Sequence, residues 1–292
     1  MLTANTASKH LASVAVPADA EVGLLVQPYD RALLRKHLLQ TRIAGDVATP
    51  REGNLAHYRR MVAKDPGYQF GLALKDWTFD ETLDMMARLC GVNPDPRHRQ
   101  GADTIGVDLT IEALDEMGAR IGQAARDRET VLLATGHPGP LMGVYRAVED
   151  ALRAAGCEVL TPAAGWSYPV ITANGSRIRE IVYSSGVAAL STGGRLQHTH
   201  DPNPMQAMLQ ELRDRPEPHP WPDLVIADHG WAGAAGEAGI DTVGFADSND
   251  PALFAGRAEG KIAVTVPLDD GVFPEYYEPM TDYLLDRAGL TG

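Results

Sequence analysis

Cysteine, positive charge and long apolar runs are all scarce in this chain of 292 residues. The two cysteines, Cys90 and Cys157, are far apart, so neither a disulfide framework nor a cysteine metal motif is indicated, and a reducing cytoplasm is the expected compartment. Lysine and arginine total 26 against 39 acidic residues, a formal charge of −13, which argues against nucleic acid because its backbone requires a basic face. No run of about eighteen apolar residues occurs, so no membrane span is expected.

The glycine-rich loops of nucleotide-binding proteins are also missing. The segment 135–139, Thr-Gly-His-Pro-Gly, lies between a strand-like run and a helix, but it matches neither the Walker A loop nor the G-x-G-x-x-G pattern. Its glycines allow the backbone to approach an anion, and the first amides of the following helix would face that anion. We therefore expect Gly136 and His137 to contact an anion or a metal. A tight turn with a surface histidine is the alternative.

Hydrophobic patterning divides the chain into three segments. Residues 1–28 have no periodic pattern and are interpreted as a loosely ordered N-terminal arm. Residues 29–126 read as a helical subdomain, in which residues 93–106 form a loop rich in proline and glycine. Residues 127–292 alternate short apolar runs with amphipathic stretches, which predicts a Rossmann-like α/β domain with its active site at the carboxyl ends of the strands. The fold class is thus α/β, a helical N-terminal part followed by a mainly parallel, three-layer sheet.

The elements expected in this last segment follow from that alternation. Strands are predicted near residues 131–134, 157–160, 181–183, 187–190, 223–227, 242–246 and 262–266. Helices are predicted near residues 140–155, 204–213, 231–238, 250–258 and 279–289.

Three polar clusters stand out in the C-terminal half, and two of them directly follow buried strands. Ligands of open α/β sheets bind at such strand ends, and unpaired polar groups are costly to bury there. The clusters are His198-Thr199-His200-Asp201, Asp228-His229-Gly230 and Asp247-Ser248-Asn249-Asp250.

Oxygen-bearing side chains in two of these clusters predict a divalent cation. Asp228, Asp247 and Asn249 are the expected metal ligands, because hard cations prefer carboxylate and amide oxygens. Asp228 is also placed to act as a general base. Asp250 precedes a proline and is adequately explained as a helix cap.

Two histidines in the remaining cluster affect the identity of the metal. His198 and His200 are two residues apart, so in extended chain both point to one side and can reach one ion. Imidazole ligands favour Mn, Fe or Zn over Mg. In the alternative interpretation, Asp201 caps the next helix and both histidines are simply exposed. The pair Asp269-Asp270 is expected to form a solvated turn.

The helical segment contributes a possible phosphate clamp around residues 42–51. Arg42 or Arg51 can bind a phosphate through paired hydrogen bonds, although an Arg–Asp surface pair explains the pattern equally well. Asn54, His57 and Tyr58 follow on the next helix and are candidates to line the same cleft.

Five strings of the sequence are similar to a group of actinobacterial proteins labelled simply "phosphatase", and the likeness covers residues 30 to 287. The helical part before a Rossmann-like sheet also resembles the architecture of metal-dependent damage-control phosphatases. The strings are RIAGDVATPR at 42–51, ATGHP at 134–138, HTH at 198–200, ADHGWAG at 227–233 and ADSNDPAL at 246–253.

Residues and resemblance together predict a metal-dependent phosphatase that hydrolyses a phosphate monoester of a small metabolite, such as a nucleotide or sugar phosphate. Mg²⁺ or Mn²⁺ is expected, with Fe or Zn if the histidines are ligands. Another metal-assisted hydrolase or lyase, and a non-catalytic phosphometabolite-binding protein, are the alternatives, and a homodimer is compatible with the sequence. The expected catalytic residues are Asp228, His229 and His137, and the expected phosphate-binding residues are Arg42, Gly136, His198 and His200.

Overall fold

The computed structural model describes residues 30–172, 175–216 and 220–291. The N-terminal arm expected at residues 1–28 lies outside these ranges. No helix in the described ranges combines the length and the apolar character that crossing a bilayer requires.

Four helices form most of the N-terminal part, as the periodicity predicts. Asp30 accepts a hydrogen bond from the backbone amide of Ala32 at the start of the first helix. A capping box begins the third helix, since Thr78 and Glu81 accept hydrogen bonds from each other's backbone amides. The helices are α1 (Arg31–Thr41), α2 (Arg51–Val62), α3 (Phe79–Leu89) and α4 (Val107–Asp127), with a 3-10 turn at Pro66–Tyr68.

Two strands also lie in this part, and neither was predicted from the sequence. Strand β1 (Gly45–Pro50) pairs antiparallel with β2 (Ala102–Ile105), with Asp46 opposite Thr104. The prediction of a loop throughout 93–106 was therefore wrong for residues 102–105. Each strand is too short to show alternation, and its pairing depends on a partner far away in sequence.

The second sheet has a mainly parallel centre, which confirms the α/β class. Its strand order is β11-β10-β9-β3-β7-β6-β5, and all neighbours from β11 to β7 run parallel, whereas β6 and β5 are antiparallel. All residues of β9 and β11 are buried, as expected for strands covered on both faces. The strands are β3 (Thr130–Ala134), β4 (Glu158–Val159), β5 (Ser167–Thr172), β6 (Gly175–Ser184), β7 (Val187–Thr192), β8 (Arg195–Gln197), β9 (Leu224–Ala227), β10 (Asp241–Ala246) and β11 (Val264–Pro267).

The hairpin formed by β5 and β6 departs from the predicted pattern. The sequence predicts a strand only near 181–183, but β6 is ten residues long and pairs with β5 over its outer half. Its side chains there are polar or exposed, so no buried face reveals the strand in the sequence.

Helices cover the sheet in two layers. One group packs together from α1, α4, α5 (Pro138–Ala155) and α9 (Glu278–Ala288). The other group comprises α2, α3, α6 (Asn203–Arg213), α7 (His229–Glu237) and α8 (Pro251–Ala258). Connections between parallel strands are right-handed crossovers. The connections that contain these two groups of helices run in opposite directions along the sheet, so the two groups lie on opposite faces. Each layer therefore combines helices from both parts of the chain.

Candidate active site

Asp228 joins the ends of two neighbouring parallel strands. It follows β9 and is fully buried. Its Oδ2 accepts a hydrogen bond from Thr135 Oγ1 at 2.8 Å, and its Oδ1 accepts one from the Gly136 amide, both just beyond β3. Both carboxylate oxygens are thus engaged in holding the turn after β3.

Gly136 allows a third segment to approach this turn. The Thr199 amide donates to the Gly136 carbonyl oxygen at 2.8 Å. A Cβ atom at position 136 would lie 2.5 Å from the Thr199 carbonyl oxygen, so only glycine fits. The Gly136 amide, expected to hold phosphate, is instead bonded to Asp228.

Four imidazoles meet beside this junction. The Nε2 atoms of His198 and His200 are 3.1 Å apart, so the two side chains do lie together. His137 stacks on His198 with ring centroids 4.3 Å apart, and His200 stacks on His229 with centroids 4.8 Å apart. The residues between β8 and α6 therefore contribute to the same centre as the ends of β3 and β9.

Three aspartates approach these rings. His229 Nδ1 lies 3.3 Å from Asp228 Oδ1. His229 Nε2 lies 3.4 Å from Asp250 Oδ2 and 3.5 Å from Asp270 Oδ2. His137 Nδ1 lies 2.9 Å from the same oxygen of Asp270.

Asp250 occupies the N-cap position of α8, as expected, but its side chain does not act as a cap. It makes no capping hydrogen bond to α8. It is 2 % exposed and points toward His229 instead. The proline that follows begins the helix without a donor at its first position, so a side-chain cap is less needed there.

The expectation of a solvated turn at Asp269 and Asp270 was also wrong, because both are buried. Asp269 Oδ2 accepts a hydrogen bond from the Ala48 amide, and the Asp269 amide donates to the Ile43 carbonyl oxygen. Strand β1 and the residues before it cover this turn, and no local pattern in the sequence indicates that packing. Asp269-Asp270 follows β11 just as Asp247 follows β10, and that shared position was the available signal.

Three carboxylates form a second, acidic side of the centre. Asp247, Asp269 and Asp270 each offer an oxygen, and these atoms lie within 4.8 Å of one another. Burial, together with the charges of Asp270 and Asp269, raises the pKa of Asp247 well above its usual range. Thr49 Oγ1 partly opposes this by donating to Asp247 Oδ2 at 2.6 Å. The acidic side therefore favours a cation.

Burial and neighbouring charges give these histidines different pKa values. Burial, reinforced by neighbouring histidines, lowers the pKa of His198 to about 4 and that of His200 to about 3. Both rings are then neutral at pH 7, the form that binds metals. Burial also opposes charge on His229, but Asp250, Asp228 and Asp270 outweigh it and raise its pKa to about 10. Without an ion this ring is therefore protonated at pH 7, and a bound ion would have to displace that proton.

These residues fit a metal ion. His229 Nδ1 and Asp250 Oδ1 are buried and have no hydrogen-bond partner in the described chain. Unpaired buried polar atoms are costly, and a bound cation would satisfy them. Three sets bring their ligand atoms within 4.8 Å of one another: His137, His198 and His229; His200, His229 and Asp250; and Asp247, Asp269 and Asp270.

Two of the three metal ligands expected from the sequence, Asp228 and Asn249, lie outside the ligand sets found among the described residues. Asp247 belongs to the carboxylate set, whereas Asp228 belongs to none of the sets found among the described residues. The Asn249 carbonyl oxygen lies 2.9 Å from His57 Nδ1, which ties that residue to α2.

The two arginines of residues 42–51 have separate surroundings. Arg42 donates to the carbonyl oxygens of Asp46 and Val47, each at 2.8 Å, and lines a cavity of about 420 Å³ together with His137. Arg51 is buried and forms an ion pair with Asp103 at 2.8 Å. The expected Arg–Asp surface pair is thus a buried pair with a different aspartate.

Helix α2 holds the loop that carries Asp247. Asn54 Nδ2 donates to Asp103 Oδ2 at 2.9 Å and to Ser248 Oγ at 3.1 Å. The Tyr58 hydroxyl donates to the Ser248 carbonyl oxygen at 2.8 Å. These residues were expected to line the cleft; the hydrogen bonds show them supporting its loop.

A family comparison bears out the resemblance seen in the motifs. A model of the family described as "Phosphatase" matches residues 29–292. The chain is also 51% identical over 263 residues to Phosphatase SCO2771 of Streptomyces coelicolor, covering 89% of this chain and 97% of that protein. This chain therefore belongs to the Phosphatase family.

Proposed function

We propose that this protein is a metal-dependent phosphatase that hydrolyses a phosphate monoester of a small metabolite. The observation that carries the proposal is the centre of four histidines and buried aspartates, whose ligand atoms converge and in part lack any hydrogen-bond partner. Membership of the Phosphatase family supports hydrolysis of a phosphate group.

The ligand set favours an ion that accepts both nitrogen and oxygen donors. Neutral His198 and His200 suit Mn, Fe or Zn, and the carboxylates of Asp247, Asp269 and Asp270 suit Mn or Mg. Mn²⁺ satisfies both sides of the centre. When bound, such an ion would polarise a phosphoryl oxygen and lower the pKa of a water molecule.

The three residues predicted as catalytic differ in whether they reach a cavity. His137 is the one among them that lines a cavity, so it is placed to meet the substrate. Asp228 and His229 are buried behind it. We assign Asp228 to holding the turn after β3, and His229 to holding the ion with Asp250.

Two cavities adjoin the centre and would receive the substrate. The larger, of about 750 Å³, is lined by His198 and His200. The smaller, of about 420 Å³, is lined by His137 and Arg42. Both volumes lie within the range of sites for small molecules, about 300–1,000 Å³.

Phosphate release tests the proposal directly. The purified protein would be incubated with a panel of nucleotide and sugar monophosphates, before and after dialysis against a chelator, and then with added Mn²⁺, Mg²⁺ or Zn²⁺. We expect release that chelation abolishes and one of these ions restores. Full turnover by protein shown to be metal-free would contradict the metal requirement. Binding of a phosphometabolite without release over hours would favour a non-catalytic binding protein.

A further inference from the structure

The larger cavity has a wall from the β5–β6 hairpin. His198 and His200 form its inner side, and Arg179 of β6 lines it from the hairpin. A molecule in this cavity would touch the candidate metal centre and the hairpin at once. The remaining lining residues are Lys64, Pro66, Gly67, Gln69, Gly71, Leu72, Ala73, Thr199, Asp201, Pro202 and Asn203.

Two basic side chains, those of Lys64 and Arg179, line this cavity, and the ammonium group of Lys64 is already bonded to other groups of the protein. Lys64 Nζ donates to the carbonyl oxygens of Leu74 and Lys75 at 2.6 and 2.5 Å, and it lies 3.4 Å from Asp76. Its charge is therefore directed at the protein's own groups.

Arg179 is not committed in this way. It is half-buried, it forms no ion pair with any described residue, and its guanidinium interacts with the uncharged hydroxyl of Tyr168. Asp201, the carboxylate in the cavity lining, forms no ion pair with it. One Asp201 oxygen accepts a hydrogen bond from the Tyr168 hydroxyl at 2.5 Å, and the other accepts one from the Asn203 amide at 3.0 Å.

The sheet register fixes where Arg179 stands. It lies directly opposite Tyr168, and paired residues of antiparallel strands share a face. Burial and the bond to Asp201 raise the pKa of Tyr168 to about 12, whereas Arg179 acts to lower it. The guanidinium thus stands beside the Tyr168–Asp201 pair on the cavity side of the hairpin.

We propose that Arg179 determines substrate specificity by binding a phosphate or carboxylate oxyanion of the substrate in this cavity. The inference rests on the proposed phosphatase function and names the chemistry of its substrate. A guanidinium presents two parallel donors that match a phosphate group, and Arg179, whose neighbour Tyr168 is uncharged, has donors left for an anion in the cavity. The oxyanion comes from the reacting phosphate or from a second anionic group on the same molecule.

Three variants test this role. Arg179→Gln removes the charge, Arg179→Lys keeps the charge without the paired donors, and Arg177→Gln is the control. Arg177 lies two residues away on the same face of β6, opposite Val170, but it is exposed and does not line the cavity. Thermal unfolding of all three would show whether the hairpin remains intact.

Kinetics on two classes of substrate separate the sources of the oxyanion. Sugar monophosphates carry only the reacting phosphate, whereas sugar bisphosphates and phosphorylated acids carry a second anion. We expect Arg179→Gln to raise KM about 10- to 100-fold, with a smaller change in kcat, and Arg179→Lys to recover part of the loss. A loss in both classes assigns Arg179 to the reacting phosphate, and a loss only in the second class assigns it to the second anion.

Two results would overturn the inference. One is a KM for Arg179→Gln that equals that of Arg177→Gln on both classes. The other is equal affinity of wild type and Arg179→Gln for both inorganic phosphate and a sugar bisphosphate in calorimetry. The calorimetric arm needs no turnover. A wild-type protein that releases no phosphate from any substrate but loses phosphate affinity in Arg179→Gln would therefore refute the phosphatase function and leave the binding role of Arg179 standing.

Discussion

Strand ends of the main sheet and the N-terminal segment contribute to the centre in different ways. Among the described residues, the groups of histidine and aspartate side chains that could hold an ion lie within residues 137–270. Residues 49–58 add no such ligand, but their side chains bond Asp247, Ser248 and the backbone of Asn249. Under the proposed function, one region carries the chemistry and the other fixes its geometry. Substitutions in the first should therefore remove activity, and those in the second should weaken folding or metal affinity.

The largest effect should come from a ligand at a strand end. His229 has a backbone φ of +47°, which asparagine tolerates better than most residues. His229→Asn therefore keeps the turn and removes the ring that two of the ligand sets share. We expect kcat to fall about 10³-fold, equivalent to about 4 kcal/mol, with loss of bound Mn²⁺ measured by elemental analysis. His98→Asn, remote from the centre, serves as the control, and a His229→Asn variant with full metal content and activity would exclude His229 as a ligand.

Arg51 should show the opposite behaviour, with a cost in folding and little in chemistry. Its ion pair with Asp103 is fully buried, and Arg51→Met leaves that carboxylate without its charged partner. We expect about 3 kcal/mol less free energy of unfolding, measured in urea, with kcat per folded molecule close to wild type.

The double variant Arg51→Met/Asp103→Asn provides the check. If the two residues interact as a pair, its cost should be well below the sum of the single costs. Additive costs would show that Arg51 stabilises the fold by some other contact.

Thr49 lies at the boundary between the two regions. Its hydroxyl donates to Asp247 and acts to lower the pKa of that carboxyl. Thr49→Val should weaken Mn²⁺ binding about 10- to 100-fold in calorimetry, since groups that orient ligands have effects of that size. Thr281→Val is the matched control, because Thr281 is also largely buried but bonds the backbone of its own helix. Equal Mn²⁺ affinity in the two variants would remove Thr49 from the site.

The sequence revealed one of these two regions much better than the other. Asp228 and Asp247 were found because each follows a short apolar run, and a strand end is a local pattern. His198 and His200 were found because alternate residues of extended chain share a side. Such signals need only a few neighbouring residues.

The supporting contacts were missed because they join distant parts of the chain. Thr49 lies in β1, and the position of β1 depends on its pairing with β2, which is distant in sequence. No local periodicity predicts that pairing, or the hydrogen bond from Thr49 to Asp247. The same packing buries Asp269 and Asp270, which look like a solvated turn in the sequence. Asp250 has the expected N-cap position, but its carboxylate faces His229, and the local sequence of a helix cap does not indicate such a contact.

Substitution of Tyr58 should have the smallest effect. It also separates most directly the support of the fold from the support of the candidate metal site. Its hydroxyl donates to the Ser248 carbonyl oxygen, next to Asp247. Tyr58→Phe should cost about 1 kcal/mol of unfolding free energy, because one buried hydrogen bond is lost. Tyr283→Phe should cost a similar amount, since Tyr283 is equally buried and its hydroxyl bonds Asp115, far from the centre. Only Tyr58→Phe should also weaken Mn²⁺ binding, by a few-fold, because only it loosens the loop of Asp247. If both variants lost the same stability and neither changed Mn²⁺ affinity, α2 would support the fold alone and the proposed division between the two regions would fail at this loop.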